Sequence, residues 1–153
     1  MITWRWSTFS RLSLTDLYAL MALRQEVFVV EQNCPYLDAD GYDPKASHLM
    51  GWEGDSLVAC LRLFAPGVKY PHEASIGRVC TALSARGSGF GRALMGRGIA
   101  ESERLWPSSG IRVSAQHYLL RFYESLGFVL EGEIYDEDGI PHVEMVRIKH
   151  VEL

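Results

Sequence analysis

Apolar and polar side chains alternate from Ile2 to Trp6, the period of a half-buried strand. The period changes after Ser13. Leu17, Leu20, Met21, Val27 and Phe28 then fall on one stripe at helical spacing, and Arg24 and Glu31 fall on the same stripe. Ser13 followed by Asp16 reads as the start of a capping box. A charge on an apolar stripe is costly to bury unless it is paired, so Arg24 is expected to have a carboxylate partner. After a long loop with Pro35 and Pro44, the stretches His48 to Glu53 and Ser56 to Phe64 flank Gly54 and Asp55 and predict a hairpin. Pro66, Gly67 and Pro71 mark a loop, and Ala74 to Thr81 a strand.

A glycine-rich turn leads into a second long helix starting near Arg92. Its inner face carries Leu94, Met95, Ile99, Ser102 and Leu105, and Pro107 ends it. Gly110 to Ala115 is a short strand. Leu119, Phe122, Tyr123 and Leu126 predict a third helix closed by Gly127. Phe128 to Tyr135 and Val143 to Ile148 are two last strands around Asp138 and Gly139. This order describes a mixed α/β (α+β) domain with helices covering a central sheet.

Composition narrows the function classes. A chain of 153 residues, 48% hydrophobic and 22% charged, fits a single domain over 1–153. A net charge of -4 argues against general nucleic-acid binding. No stretch approaches the ~20 apolar residues that span a bilayer. The first residues lack the apolar run of a signal peptide, so a cytoplasmic location is expected. Cys34, Cys60 and Cys80 have no metal-ligand spacing and read as reduced thiols. Charge is nevertheless uneven. From Arg78 to Arg104 there are five arginines and two acids, whereas Glu31 to Asp43 and Glu131 to Asp138 carry only acids among their charged residues. Such a separation suits a protein joining a polyanionic ligand to a cationic one, and it equally fits solvated surface.

The strongest chemical signal is Arg86-Gly87-Ser88-Gly89-Phe90-Gly91, set between a strand and a helix. Glycines let main-chain N–H groups approach an anion, and the helix N-terminus adds partial positive charge. The third glycine of a GxGxxG dinucleotide fingerprint is missing, with Arg92 or Leu94 in its place, and no Gly-Lys-Ser/Thr follows for a Walker loop.

What fits is Arg-x-x-Gly-x-Gly, and the segment resembles the pyrophosphate loop of the GNAT acetyltransferases. Further on, Gln116, Tyr123, Gly127 and Phe128 resemble that family's Asn-x6-Tyr-x3-Gly-Phe segment, with Gln116 in place of the Asn. The run Arg24-x-x-Val27-Phe28-Val29-Val30-Glu31-Gln32-Asn33-Cys34-Pro35-Tyr36, with Asp38, Asp40, Gly41, Asp43 and His48, is similar to the ElaA-type subgroup. So is Glu137-Asp138-Gly139-Ile140-Pro141-His142 with Met145. The resemblance implies the GNAT acyl-CoA N-acyltransferase fold: a bent, mostly antiparallel central sheet flanked by helices and splayed between its fourth and fifth strands to admit acetyl-CoA. It also implies acetyl transfer from the thioester to a primary amine by direct attack. Val79, Cys80 and Thr81 would pair with the pantetheine arm, Arg86 through Arg92 would wrap the pyrophosphate mainly by main-chain donors, and Gln116 would contact the pantetheine.

By the same resemblance Tyr123 is the general acid for the leaving thiolate; its apolar neighbours Leu119, Phe122 and Leu126 also suit a core tyrosine. A lysine-like amine must lose a proton before it attacks. Glu31, Asp38, Asp40, His48 and His142 are candidate bases, Glu31 first among them, with structural partnership to Arg24 or another buried arginine as its other reading. Asp40, His48 and His142 are candidate substrate contacts. Cys80 reads as a small buried strand residue rather than an acyl-carrying nucleophile. The stretch from Asp38 to Asp43 departs from the EF-hand pattern and reads as a turn with exposed acids, and His142-Val-Glu144 lacks the cysteines of a zinc deaminase, so no metal is expected. The acidic segments favour a cationic acceptor, a small molecule or a peptide or protein amine. A monomer or a homodimer through the sheet edge is expected, and the same fold would also serve a non-catalytic acyl-CoA sensor or partner-binding module.

Overall fold

A computed structural model describes residues 1–148. The elements are β1 (Ile2–Thr8), α1 (Leu14–Arg24), a π-helical continuation (Gln25–Glu31), β2 (Ser47–Glu53), β3 (Ser56–Phe64), β4 (Ala74–Thr81), α2 (Phe90–Leu105), β5 (Ile111–Gln116), α3 (Leu120–Glu124), β6 (Val129–Glu137) and β7 (Ile140–Arg147). The seven strands are ordered β1-β2-β3-β4-β5-β7-β6. Pairing is antiparallel for β1 with β2, β2 with β3, β5 with β7 and β6 with β7. The parallel ladder of β4 with β5 holds only Ala74 opposite Ile111 and Ser75 opposite Arg112. The mixed, mostly antiparallel sheet with helices is the class the sequence predicts. The chain divides into two compact units, Met1–Leu63 with Arg78–Gly98, and Phe64–Gly77 with the residues from Ile99 onward.

In the first unit, the Ser13 hydroxyl caps α1 by accepting from the Asp16 N–H at 3.0 Å. The Asp16 carboxylate does not complete the box; it accepts from Arg5 Nη2 at 2.8 Å. The stripe of α1 buries Leu20 and Leu23, and the π segment adds Val27. They pack with Met50 of β2, Cys60 of β3 and Cys80 of β4. Each such aliphatic side chain contributes about 1.5–3 kcal/mol of transfer free energy. The helix widens after Arg24 into the π segment, with Arg24 and Val27 buried and Phe28 partly buried against the core. A π-helical stretch changes the phase of the residues that follow it.

In the second unit, β5 and β7 separate two faces. Ile111, Val113, Ala115, Val143 and Met145 are buried on one. Arg112, Ser114, Gln116, His142 and Glu144 lie on the other. The hairpin of β6 and β7 turns on Asp138 and Gly139 alone, with φ of 55° and 80°, the two left-handed positions of a type I′ turn. For that reason β7 begins at Ile140, earlier than the hydrophobic pattern suggests. The third helix is also shorter than predicted: a 3-10 turn over His117–Leu119 precedes α3. It closes with Phe128 N–H donating to the Tyr123 carbonyl at 3.1 Å and Gly127 N–H to the Glu124 carbonyl at 3.0 Å. That Schellman pattern needs the left-handed Gly127, whose φ is 90°.

Candidate active site

The glycine turn follows β4 and a short 3-10 turn over Leu83–Ala85, and α2 starts at Phe90. Gly87 and Gly89 have φ of 83° and 78°, a conformation only glycine adopts without strain. A Cβ at Gly87, Gly89 or Gly91 would meet nothing within 4 Å, so the main chain faces open space. The first hydrogen bond of the helix is Ala93 N–H to the Gly89 carbonyl at 3.1 Å. The N–H groups of Gly87, Ser88, Gly89, Phe90 and Gly91 meet no acceptor among the described residues. Consecutive unpaired donors at the positive end of a 16-residue helix form a cradle for a phosphate or diphosphate. The residues therefore fit the diphosphate of coenzyme A.

The side chain of Arg86 is directed elsewhere. Its Nη1 and Nη2 donate to Glu31 Oε2 and Oε1 at 2.7 and 2.8 Å, and Nη2 also reaches the Thr81 carbonyl at 3.1 Å. Glu31 thus ends the π segment as a bidentate clamp on the arginine that opens the turn. The partner of Glu31 is thus neither Arg24 nor a buried arginine but Arg86, and both side chains are partly exposed.

Arg24 is buried and has two acidic partners. Its Nε donates to Asp38 Oδ2 at 2.9 Å and its Nη1 to Asp43 Oδ1 at 2.7 Å. Arg62, buried in β3, donates to Asp40 Oδ2 at 2.6 Å and Asp43 Oδ1 at 2.9 Å. Arg78 donates from Nε to Asp38 Oδ1 at 2.7 Å. Three arginines and three aspartates are thereby interlocked. The expected turn with exposed acids is corrected: Asp38 and Asp43 are 8% and 6% exposed, because the arginines of α1, β3 and β4 draw the loop inward. Burial alone would raise the Asp43 carboxyl; the hydrogen bonds and charges of Arg24 and Arg62 outweigh it and hold Asp43 below the usual range. Asp40 is likewise held low by Arg62, the Tyr42 N–H and Arg78 against its own desolvation. His48 is buried, with Nε2 at 2.9 Å from the Asp43 carbonyl, and burial lowers its basicity. Asp40 and His48 therefore both lie in or against the ion network.

Arg78 is the residue sequence reasoning passed over. It sits within β4 at φ 48°, left-handed and not glycine, just ahead of Val79, Cys80 and Thr81. Its clamp on Asp38 and its place over the Phe28 ring hold that conformation. A kink of this kind re-aims the following main chain. Arg62 carried a visible signal, a single charge in the apolar run Leu57 to Phe64. Cys80 is buried with its sulfur 3.4 Å from that of Cys60, and the hydrogen bond with Cys60, together with burial, pushes the thiol up, as suits a packed strand residue rather than a nucleophile.

In the second unit, Tyr123 is buried in α3 with Phe122 and Phe128 edge-on to its ring at centroid distances of 5.3 and 5.7 Å. Its hydroxyl has no hydrogen-bond partner among the described residues, and desolvation pushes it up to about 12. Gln116 lies at the end of β5 directly opposite His142 of β7. His142 is buried, its Nδ1 2.8 Å from the Ile140 carbonyl and its Nε2 3.2 Å from Glu137 Oε2. Among the described residues no group of His, Cys, Asp and Glu could hold a metal ion.

The chain is similar to known proteins in sequence and in fold. Residues 43–149 match the family description "Acetyltransferase (GNAT) domain". ElaA of Escherichia coli is 42% identical over 149 residues, covering 96% of this chain and 97% of its own. Its crystal structure superposes with a TM-score of 0.90. The crystal structure of an acyl-CoA N-acyltransferase from Pseudomonas aeruginosa superposes with a TM-score of 0.91 at 44% identity, covering 96% of this chain and 99% of that one. With its glycine turn, its buried α3 tyrosine and these relatives, the chain belongs to the GNAT acetyltransferase family, in its ElaA-type subgroup, and is an acyltransferase.

Proposed function

We propose that the protein transfers an acetyl group from acetyl-CoA to a primary amine by direct attack of the amine on the thioester. The observation that carries this reading is the row of five unpaired main-chain N–H donors from Gly87 to Gly91 at the start of α2. Acetyl-CoA, when bound, supplies an activated acyl carbon and a thiolate leaving group. The chain's own residues do the rest. The turn binds the diphosphate, and Glu31 fixes Arg86 so that the turn is presented in one conformation. The kink at Arg78 exposes the main chain of Val79 to Thr81 to pair with the pantetheine and polarise the acyl oxygen. Tyr123 keeps its proton throughout the neutral range and offers it to sulfur. Holding both reactants together replaces a covalent enzyme intermediate by orientation.

Turnover of acetyl-CoA against a panel of amines, followed by release of the free thiol, tests the proposal. Thiol release with at least one aliphatic amine is expected. Binding of acetyl-CoA with no transfer to any amine would leave an acyl-CoA sensor, and stabilisation by ATP but not by acetyl-CoA would overturn the ligand itself.

Gly89→Ala provides a second check. A left-handed alanine costs about 1–2 kcal/mol, and its methyl would project into the open space of the cradle. Calorimetry is expected to show acetyl-CoA affinity reduced about tenfold, the equivalent of 1.4 kcal/mol. Affinity equal to that of the parent would show that the turn does not grip the diphosphate.

A further inference from the structure

On the polar face of the second unit, four side chains from three strands form one hydrogen-bonded line. The Tyr135 hydroxyl of β6 meets Ser114 Oγ of β5. Ser114 Oγ donates to Glu137 Oε2 at 3.3 Å. Glu137 Oε2 faces His142 Nε2 of β7 at 3.2 Å. His142 Nδ1 lies 2.8 Å from the Ile140 carbonyl. A carbonyl only accepts, so Nδ1 carries hydrogen. Nε2 then has a proton to share with Glu137 when the ring is charged, and a bare lone pair opposite Oε2 when it is not. The space between Nε2 and Oε2 is a seat for one proton.

The line is accessible at its far end: Ser114 is exposed and Tyr135 half-buried. Gln116, His142 and Tyr135 are directly opposed across β5, β7 and β6, which puts their side chains in one row on one face of the sheet. Gln116 occupies the position that the family's pantetheine contact takes. Under the function proposed above, on which this inference rests, Ser114 stands two residues before Gln116 on the same face of β5, so the Tyr135 hydroxyl that it meets lies beside the arm that Gln116 would contact. The charged or titratable groups facing the line are Glu144 of β7, Glu131 of β6, Arg112 of β5, and Tyr70 and Glu73 from the loop before β4. Arg112 is shared among Glu73, Glu131 and Glu144. Acids outnumber the single arginine on this face, which favours an acceptor that arrives as a cation.

We propose that Tyr135, Ser114, Glu137 and His142 are the proton-accepting relay of the enzyme, and that its acceptor is an aliphatic amine delivered as the ammonium ion. Tyr135 takes a proton from the ammonium nitrogen and passes its own to Ser114. Ser114 passes its own to the vacant seat between Glu137 Oε2 and His142 Nε2. The nitrogen keeps the lone pair of the broken N–H bond and attacks with it. The relay gains one proton and one positive charge, later lost to water. Tyr135 touches the substrate and is the catalytic residue; Glu137 and His142 position and store the proton.

The experiment compares Tyr135→Phe, Ser114→Ala and the double variant with the parent, using an aliphatic amine and a weakly basic amine that is unprotonated at the assay pH. With the aliphatic amine, kcat is expected to fall about 100-fold in each single variant, and no further in the double, as for residues acting as one unit. The variants' rate should keep rising with pH toward the amine's own range near 10.4, whereas the parent levels off earlier. With the weakly basic amine, which arrives without the proton the relay first removes, the loss of kcat should be at least about tenfold smaller, and calorimetric affinity for acetyl-CoA should not change. Equal losses with both amines, or variants within twofold of the parent with an unchanged pH profile, would overturn the relay. A parent that transfers to no amine would instead remove the function on which the relay rests.

Discussion

Asp43→Asn is expected to lower the unfolding free energy by about 3–5 kcal/mol, the usual effect of removing one partner from a buried ion pair. The substitution preserves volume, so the loss is electrostatic. Asp43 Oδ1 accepts from Arg24 at 2.7 Å and from Arg62 at 2.9 Å, and both guanidinium groups are almost wholly enclosed. Without that charge, three arginines share Asp38 and Asp40, and part of a buried positive charge is left uncompensated. Urea unfolding of both proteins at neutral pH measures the difference, and a loss under about 1 kcal/mol would mean that the network behaves as a surface pair. The same site sets an acid limb. Asp40 and Asp43 are held below their ordinary range by their arginines. A depressed carboxyl adds stability that is complete above the unfolded value, near 3.9, and is lost as pH falls below it toward the folded value. Parental stability should therefore decline below about pH 4, and the decline should be shallower in Asp43→Asn, which has one such group fewer.

Tyr123→Phe is expected to reduce kcat by about 100- to 1000-fold while leaving the affinity for acetyl-CoA intact. The ring is held edge-on by Phe122 and Phe128, contacts that phenylalanine reproduces, so only the hydroxyl is deleted. Its size follows from the burial. A phenol pushed up to about 12 lies well above an alkyl thiol near 8.5. Full proton transfer even to the free thiolate is uphill by roughly 5 kcal/mol, and transfer to the less basic thioester sulfur before the carbon–sulfur bond breaks is more so. The hydroxyl therefore acts as a donor that tightens on sulfur as charge develops there, which is stabilisation of the transition state rather than of the bound substrate. No alkaline loss of kcat from Tyr123 is expected until pH approaches 12. Steady-state kinetics and calorimetry on one preparation separate the effects, and unchanged turnover would remove Tyr123 from the chemistry.

The parts of this architecture that were legible in the chain are those written in short-range patterns. Alternation from Ile2 to Trp6, the hairpin around Gly54 and Asp55, and the glycines before α2 each impose a local geometry that no distant contact overrides. The need of Arg24 for an acid was also readable, because charge on an apolar stripe has few outcomes. Which acids would answer was not: Asp38 and Asp43 lie in a loop with no period, and only tertiary structure brings them inward. The left-handed Arg78 is invisible for the same reason, being held by a loop some 40 residues away. On the site, the main-chain cradle was readable since glycine declares it. The line of Tyr135, Ser114, Glu137 and His142 was not, since it depends on the register of three strands and on a bulge between Glu131 and Tyr135.

The wide turn from Gln25 to Glu31 gives the chain a vulnerability that point substitutions would not reveal. Each residue of an ordinary helix advances about 100° around the axis. A π turn takes more residues per revolution, so these seven residues carry the chain about as far round the axis as six in ordinary winding. Relaxing to ordinary winding at the present length would carry the acid at the tip further round and away from Arg86, leaving the core stripe of α1 untouched, whereas deleting one residue at the same time would bring that acid back. Winding, rather than chemical identity, is thus the property of this segment on which the anchor of the cradle depends.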